Sequence, residues 1–204
     1  MIYEHLGARP RIHETAVIAP SAVVSGDVEI GPHCQILHGA VITAEGGPIV
    51  LGEHVIVMEN ALIRATAADS VRIGRHTLLG TLSSVAGADI AEESFLASGA
   101  RVFNGARVGA RSEIRVHAIV HRKAVLPENT VVPIGWVAVG DPVQLHPAEN
   151  AAEIGAAQPE LDFPGFVFGV DRDTPDLMVQ LTERYASSLA RHADDREVFR
   201  DEQA

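Results

Sequence analysis

Ten histidines and one cysteine, Cys34, are the residues of this 204-residue chain best suited to metal binding, proton transfer or nucleophilic attack. One cysteine excludes an internal disulfide and any multi-cysteine zinc site. His117 and His121 stand four apart in Arg115-Val-His-Ala-Ile-Val-His-Arg-Lys123. On a helix that spacing would place both rings on one face. Arg115, Arg122 and Lys123 beside them are hostile to a cation. His33, His38, His54 and His76 fall mostly where turns are expected, which favours exposed or subunit-packing roles over metal ligation. Whether any of these rings can converge depends on the elements that carry them.

Those elements are written in a repeat. Branched apolar residues recur every six positions in four runs. The runs are Ile12, Ile18, Val24, Ile30, Ile36, Ile42; then Leu51, Val57, Ile63; then Ile73, Leu79, Val85; then Ile90 through Leu96, Val102, Val108, Ile114, Val120 and Leu126 to Val132. Alanine often stands two places earlier, as in Ala16, Ala22, Ala40, Ala61, Ala100, Ala106 and Ala118. Glycine often follows directly, as in Gly31, Gly52, Gly74, Gly80 and Gly109. A six-residue period fits neither the α-helix nor a long alternating strand. It predicts a solenoid in which each hexapeptide makes one short strand and one turn, and three of them close a triangular coil. The 20 repeat positions predict six to seven coils. Small residues let the corners close, and glycine is expected to supply turn conformations. In such a coil, four positions cross a corner, so His117 and His121 are expected to separate.

The period breaks at three places. Ile42 to Leu51 contains Glu45-Gly-Gly-Pro48, Ile63 to Ile73 contains Ala65-Thr-Ala-Ala-Asp69, and the step from Val85 to Ile90 is short. Loops protruding from a rigid scaffold are expected there, and such loops are where sites are built.

Residues 1–146 are expected to form this mainly β domain, 147–162 a linker, and 163–204 an apolar segment followed by an α-helix. Gly140-Asp-Pro142 closes the repeat with turn chemistry. Leu177, Leu181, Tyr185 and Leu189 form one stripe opposite Glu183, Arg184 and Ser187, with Thr174 the expected N-cap and Pro175 the first helical position. The helix is expected on the solenoid flank or on a neighbouring subunit. Residues 1–150 carry 15 acidic and 11 basic side chains, net −4, and 151–204 carry 12 and 5, net −7. The sparse, scattered basic residues argue against nucleic acid and anionic membrane as partners. No apolar run approaches a membrane span, and the amino terminus lacks the pattern of a signal peptide, so a cytoplasmic location is expected.

The chain resembles the left-handed β-helix proteins of the hexapeptide-repeat group and, within it, the γ class of carbonic anhydrases. The resemblance covers roughly residues 8–145. It is carried by Thr15-Ala-Val-Ile-Ala-Pro-Ser-Ala-Val-Val-Ser-Gly-Asp-Val-Glu-Ile-Gly31, Gly39-Ala-Val-Ile42, Gly47-Pro-Ile-Val-Leu-Gly52, the short step after Val85 and Val139-Gly-Asp-Pro142. It implies a left-handed parallel β-helix, a homotrimer, and sites in clefts between subunits.

The family's chemistry uses a metal held by three histidines. The corresponding positions here are Arg64, in Ala61-Leu-Ile-Arg64, and Thr81 and Ala86, in Leu79-Gly-Thr-Leu-Ser-Ser-Val-Ala-Gly87. The family's Arg-Gly-Asp is Thr43-Ala-Glu45, and its Gln-Asp is Met58-Glu59. Alanine offers no ligand, a threonine hydroxyl is a poor one, and a guanidinium repels a cation. Zinc and zinc-dependent CO2 hydration are therefore not expected. Arg64 with Thr81 and Glu45 is instead the candidate binding set for a small carboxylate or bicarbonate-like anion, and Glu59 the candidate catalytic base or the group that orients Arg64. The competing reading makes Arg64 and Glu59 a structural salt bridge between subunits. Two alternatives come from the wider group. One is CoA-dependent acyl transfer, with His38 or His121 as the base. The other is a non-catalytic scaffold or subunit that docks a partner through its acidic tail.

Overall fold

The computed structural model describes residues 1–157, 165 and 169–199. Its body is a left-handed parallel β-helix whose strands stack into three sheets. On the first face Ile2, Val24, Ile42, Ile63, Val85, Val102, Val120 and Ala138 pair in register from coil to coil. Ile12, Ile30, Leu51, Ile73, Ile90, Val108 and Leu126 do so on the second. Ile18, Ile36, Val57, Leu79, Leu96, Ile114 and Val132 do so on the third. From Val24 onward these repeat residues are buried, and Ile12 and Ile18, near the open end, are half-buried. The hexapeptide period is thus a burial period, each branched side chain stabilising the stack by about 1.5–3 kcal/mol.

The first sheet has ten strands against seven on each other face, so there are about eight coils rather than six or seven. The added first-face strands are Ile2–Glu4, whose Ile2 stands ten residues before Ile12, and Trp136–Val139, whose Ala138 keeps the six-residue step from Val132 but is not branched. Both ends of this sheet are covered by antiparallel strands, Gln144–Pro147 on one and Arg196–Glu197 on the other. Covered edges do not offer a template for aggregation.

Two expectations need correction. The glycines after the branched residues do not supply positive φ. A Cβ at Gly74 would lie 2.4 Å from the backbone nitrogen of Glu92, and one at Gly109 would lie 2.4 Å from that of Glu128. These glycines exist because successive coils approach too closely for a side chain. The left-handed turn positions are filled instead by His33, His54 and His76, among others, at φ of 57, 56 and 55°. The expected loops at Glu45 and Ala65 are also partly strand. Val41–Glu45 and Leu62–Thr66 are five residues each and pair through Thr66↔Glu45, so the longer steps lengthen the first face before the chain turns.

Helix α1 (Ala151–Ala156) lies inside the stretch expected to be a linker. Helix α2 (Leu177–Leu189) carries the expected stripe: Leu181 is buried, Leu177, Tyr185 and Leu189 are half-buried, and its other residues are exposed. Its N-cap is Asp176 rather than Thr174, because Asp176 takes the left-handed conformation (φ 55°) that ends the preceding turn. The apolar segment from Phe163 lies outside the described residues except for Gly165, Gly169 and Val170. No helix among the described residues is long and apolar enough to cross a membrane.

Candidate functional site

The first face carries the site. Its outward positions run Tyr3, Ser25, Thr43, Arg64 and Ala86 across five coils, with Glu45 two residues beyond Thr43. Arg64 and Ala86 are direct register partners, so two of the three positions expected to correspond to metal-binding histidines sit side by side. Thr81 is at a corner, where its hydroxyl donates to Glu59 Oε2 over 3.4 Å. Within the chain, then, Glu45, Arg64 and Ala86 share a face, while Glu59 and Thr81 form a separate pair. No Arg64–Glu59 ion pair occurs among the described residues. The carboxylate beside Arg64 is Glu45, at 4.0 Å from Nη2. Arg64, Thr81 and Ala86 do not fit a three-histidine metal centre, since among them they offer one neutral oxygen and one fixed cation.

A cleft of about 440 Å3 opens over Arg64. One wall is the solenoid, with Glu45, Thr66, Asp69, Ala86 and Asn104. The other is α2, with Arg184, Tyr185 and Ser188, and the 3-10 turn after it, with Arg191. The Tyr185 ring faces the Arg64 guanidinium at 5.9 Å. Asp69 accepts from Asn104 Nδ2 at 3.1 Å. Arg184 donates to the Gly169 carbonyl, and Arg191 to the carbonyl and hydroxyl of Ser188. Three guanidiniums therefore border one cleft, and among the described residues neither Arg184 nor Arg191 pairs with a carboxylate.

Beside this cleft is a cluster with no sequence signal. A tight turn at Leu6-Gly7, both at positive φ (52 and 75°), folds His5 back to exchange two hydrogen bonds with Ala8. His5 is buried, with 2% of its surface exposed. At the other end of the chain, the 3-10 turn Ala190–Asp194 brings His192 onto it, and the rings stack at 4.4 Å with 17° between planes. Asp195 contacts both Nδ1 atoms, at 2.5 Å for His5 and 2.8 Å for His192. Glu45 faces both Nε2 atoms, at 3.7 Å for His5 and 3.0 Å for His192. The Asp195 hydrogen bond raises the His192 imidazole above its usual pKa; burial opposes this, and the charge of Glu45 adds to it. Burial pushes the Asp195 carboxyl up, but its hydrogen bonds with His192 and His5 prevail and hold it below the usual range. Residues this far apart in sequence leave no motif to read.

The other candidates are apart. His38 is on a turn, with Nδ1 2.8 Å from the Ser21 hydroxyl. His121 lies near Phe103, its buried Nδ1 has no hydrogen-bond partner among the described residues, and burial with the nearby Arg122 charge lowers its pKa. His33, His54 and His76 stack along one corner at 4.8 and 5.0 Å. Cys34 is buried.

Residues 9–44 match the bacterial transferase hexapeptide (six repeats) family. The chain is 27% identical over 141 residues to mitochondrial γ carbonic anhydrase 1 of Arabidopsis thaliana, covering 66% of this chain and 49% of the relative. It is 29% identical over 178 residues to the carboxysome assembly protein CcmM of a Nostoc strain, covering 81% of this chain and 30% of the relative. It thus spans about half or less of these relatives' lengths. A UDP-N-acetylglucosamine O-acyltransferase structure from Moraxella catarrhalis shares the fold, with a TM-score of 0.51 at 21% identity over 87% of this chain and 88% of that one. The chain is a hexapeptide-repeat, left-handed β-helix protein similar to the γ class of carbonic anhydrases.

Proposed function

We propose that this protein is a trimer whose cleft over Arg64 receives a small carboxylate or bicarbonate-like anion, without zinc-dependent CO2 hydration at that position. The observation that carries the reading is the meeting of Arg64, Arg184 and Arg191 on one cleft. Glu45 is the one carboxylate within ion-pair reach of these three among the described residues, and at 4.0 Å from Arg64 it leaves that guanidinium loosely held. A planar guanidinium beside Tyr185 presents a fork to an anion. Glu59 and Thr81, paired at a corner, would serve this cleft only from a neighbouring protomer.

The three faces support the trimer. The second face presents a charged ladder: Arg11 with Asp27 and Glu29, Arg72 with Asp89 and Arg75 with Glu92. It suits water. The third presents Val17, Phe95 and Val131, exposed at 53, 41 and 40%, in one outward ladder with Ile56 and Leu78 and with the polar Gln35 and Glu113. Such a mostly apolar face suits a protomer contact. Light scattering should give three times the 21.7 kDa chain mass.

A thermal-shift panel of bicarbonate, acetate, malonate and succinate tests the cleft. At least one anion should raise the melting temperature of the wild type and not of Arg64→Ala. A panel without any Arg64-dependent shift removes the reading. The similarity to a carboxysome assembly protein favours a second reading, a non-catalytic assembly subunit. That reading expects the trimer without anion-dependent stabilisation.

A further inference from the structure

We propose that His5, His192 and Glu45 form a site for one divalent transition-metal ion of the zinc class, separate from the Arg64, Thr81 and Ala86 positions. His5, His192 and Asp195 each place a ligand atom within 4.8 Å of the others. Their hydrogen bonds decide which atoms are free to bind. The two Asp195 oxygens hold the two Nδ1 atoms at 2.5 and 2.8 Å. In each neutral ring this leaves the lone pair on Nε2. Both Nε2 atoms face Glu45, one oxygen each, at 3.0 and 3.7 Å. Two ligands on a common tetrahedral ion, each about 2.0–2.2 Å from it, are themselves about 3.4 Å apart, and the two distances straddle that value.

A second observation points to a ligand. The side chain of His5 has 0% exposure, and its Nε2 has no hydrogen-bond partner among the described residues. A buried ring nitrogen without a partner, facing a carboxylate beyond hydrogen-bond range, is the gap an ion would fill. The Ser25 hydroxyl, also buried and without a hydrogen-bond partner among the described residues, lines the adjoining cleft with Tyr3 and Thr43. That cleft leaves room for water at a fourth position. Glu45 and Asp195 contribute two negative charges and Arg64 one positive charge nearby, leaving net negative charge for a dication. Asp195 is a positioning residue, since a carboxylate that accepts the far N–H of a metal-binding histidine sets its tautomer and orientation. The stacked rings keep both Nε2 atoms on one side. With the ring planes 17° apart the two lone pairs run nearly parallel, so sharing one ion requires His192, the more exposed ring at 36%, to tilt toward it.

The test is titration of the EDTA-stripped full chain with Co2+, followed by its visible absorption, and with Zn2+ by calorimetry. One ion per chain should bind. His192→Ala and Glu45→Gln should each weaken binding at least ~100-fold, and Asp195→Asn about 10–100-fold. His54→Ala, in the exposed His33–Glu53–His54 group, should change nothing. Arg64→Ala should bind as well as the wild type or better, which separates this site from the anion cleft. Circular dichroism checks that His192→Ala and Glu45→Gln remain folded. A metal-dependent rise in wild-type melting temperature that is lost in Asp195→Asn gives a second readout. The proposal is overturned by the absence of saturable binding, by binding that survives both His192→Ala and Glu45→Gln, or by binding lost in His54→Ala.

Discussion

The Arg64 guanidinium stands 5.9 Å from the centre of the Tyr185 ring, so the strand Leu62–Thr66 and helix α2 close on one another through a cation and an aromatic face. Such contacts contribute about 0.5–1 kcal/mol at partly exposed sites. Tyr185→Ala should therefore speed amide exchange along α2 several-fold and leave the solenoid amides unchanged, while Tyr185→Phe retains protection. Equal exchange in Tyr185→Ala and the wild type would show that the ring does not hold the helix.

Gly74→Ala should destabilise the β-helix by about 1–3 kcal/mol, because the new methyl meets rigid backbone of the next coil. Gly155→Ala, in open space on α1, should cost nothing and add helix propensity. Urea unfolding midpoints compare the two. A Gly74→Ala protein as stable as the wild type would refute the account of these glycines as spacers between coils.

Burial raises the Cys34 thiol above its ordinary pKa, against weaker lowering by nearby backbone groups. The thiol donates to the Gly52 carbonyl at 3.0 Å, in the corner ladder where other coils place Val55, Thr77, Ser94 and Ser112. Iodoacetamide at pH 8 should label the native chain orders of magnitude more slowly than the unfolded chain. Rapid native labelling would mean that this corner opens.

Burial, aided by the Arg122 charge, lowers the folded-state pKa of His121. The unfolded chain then binds this proton more readily. The neutral ring's contribution is complete above the usual imidazole range and is lost as pH falls through that range toward the lowered folded value. The melting temperature of the wild type should fall more between pH 7.5 and 5 than that of His121→Asn. Parallel profiles would count against a buried neutral His121.

The solenoid was legible because its stabilising rule is local and repeated. Each branched residue, from Ile12 to Val132, needs only to be six places from the next for the stack to bury it, and α2 was legible through Leu177, Leu181, Tyr185 and Leu189 for a similar reason. The extra coil was not, because Ile2 stands ten residues before Ile12, and Ala138, though six after Val132, is not a branched residue. Arg64 could be singled out by position. Its neighbours could not, because Tyr185, Arg184 and Arg191 reach it only once the chain has doubled back.

The amino-acid sequence by itself determined the coil, its period and the residues inside it. Tertiary structure alone decided that His5 stacks on His192 and that Asp195 and Glu45 close the pair from either side. The antiparallel pairing of Arg196–Glu197 with Ile2–Glu4 brings these groups together. That pairing joins the two ends of the chain across the whole length of the fold, and such a contact depends on the summed path of every coil between them rather than on any local spacing.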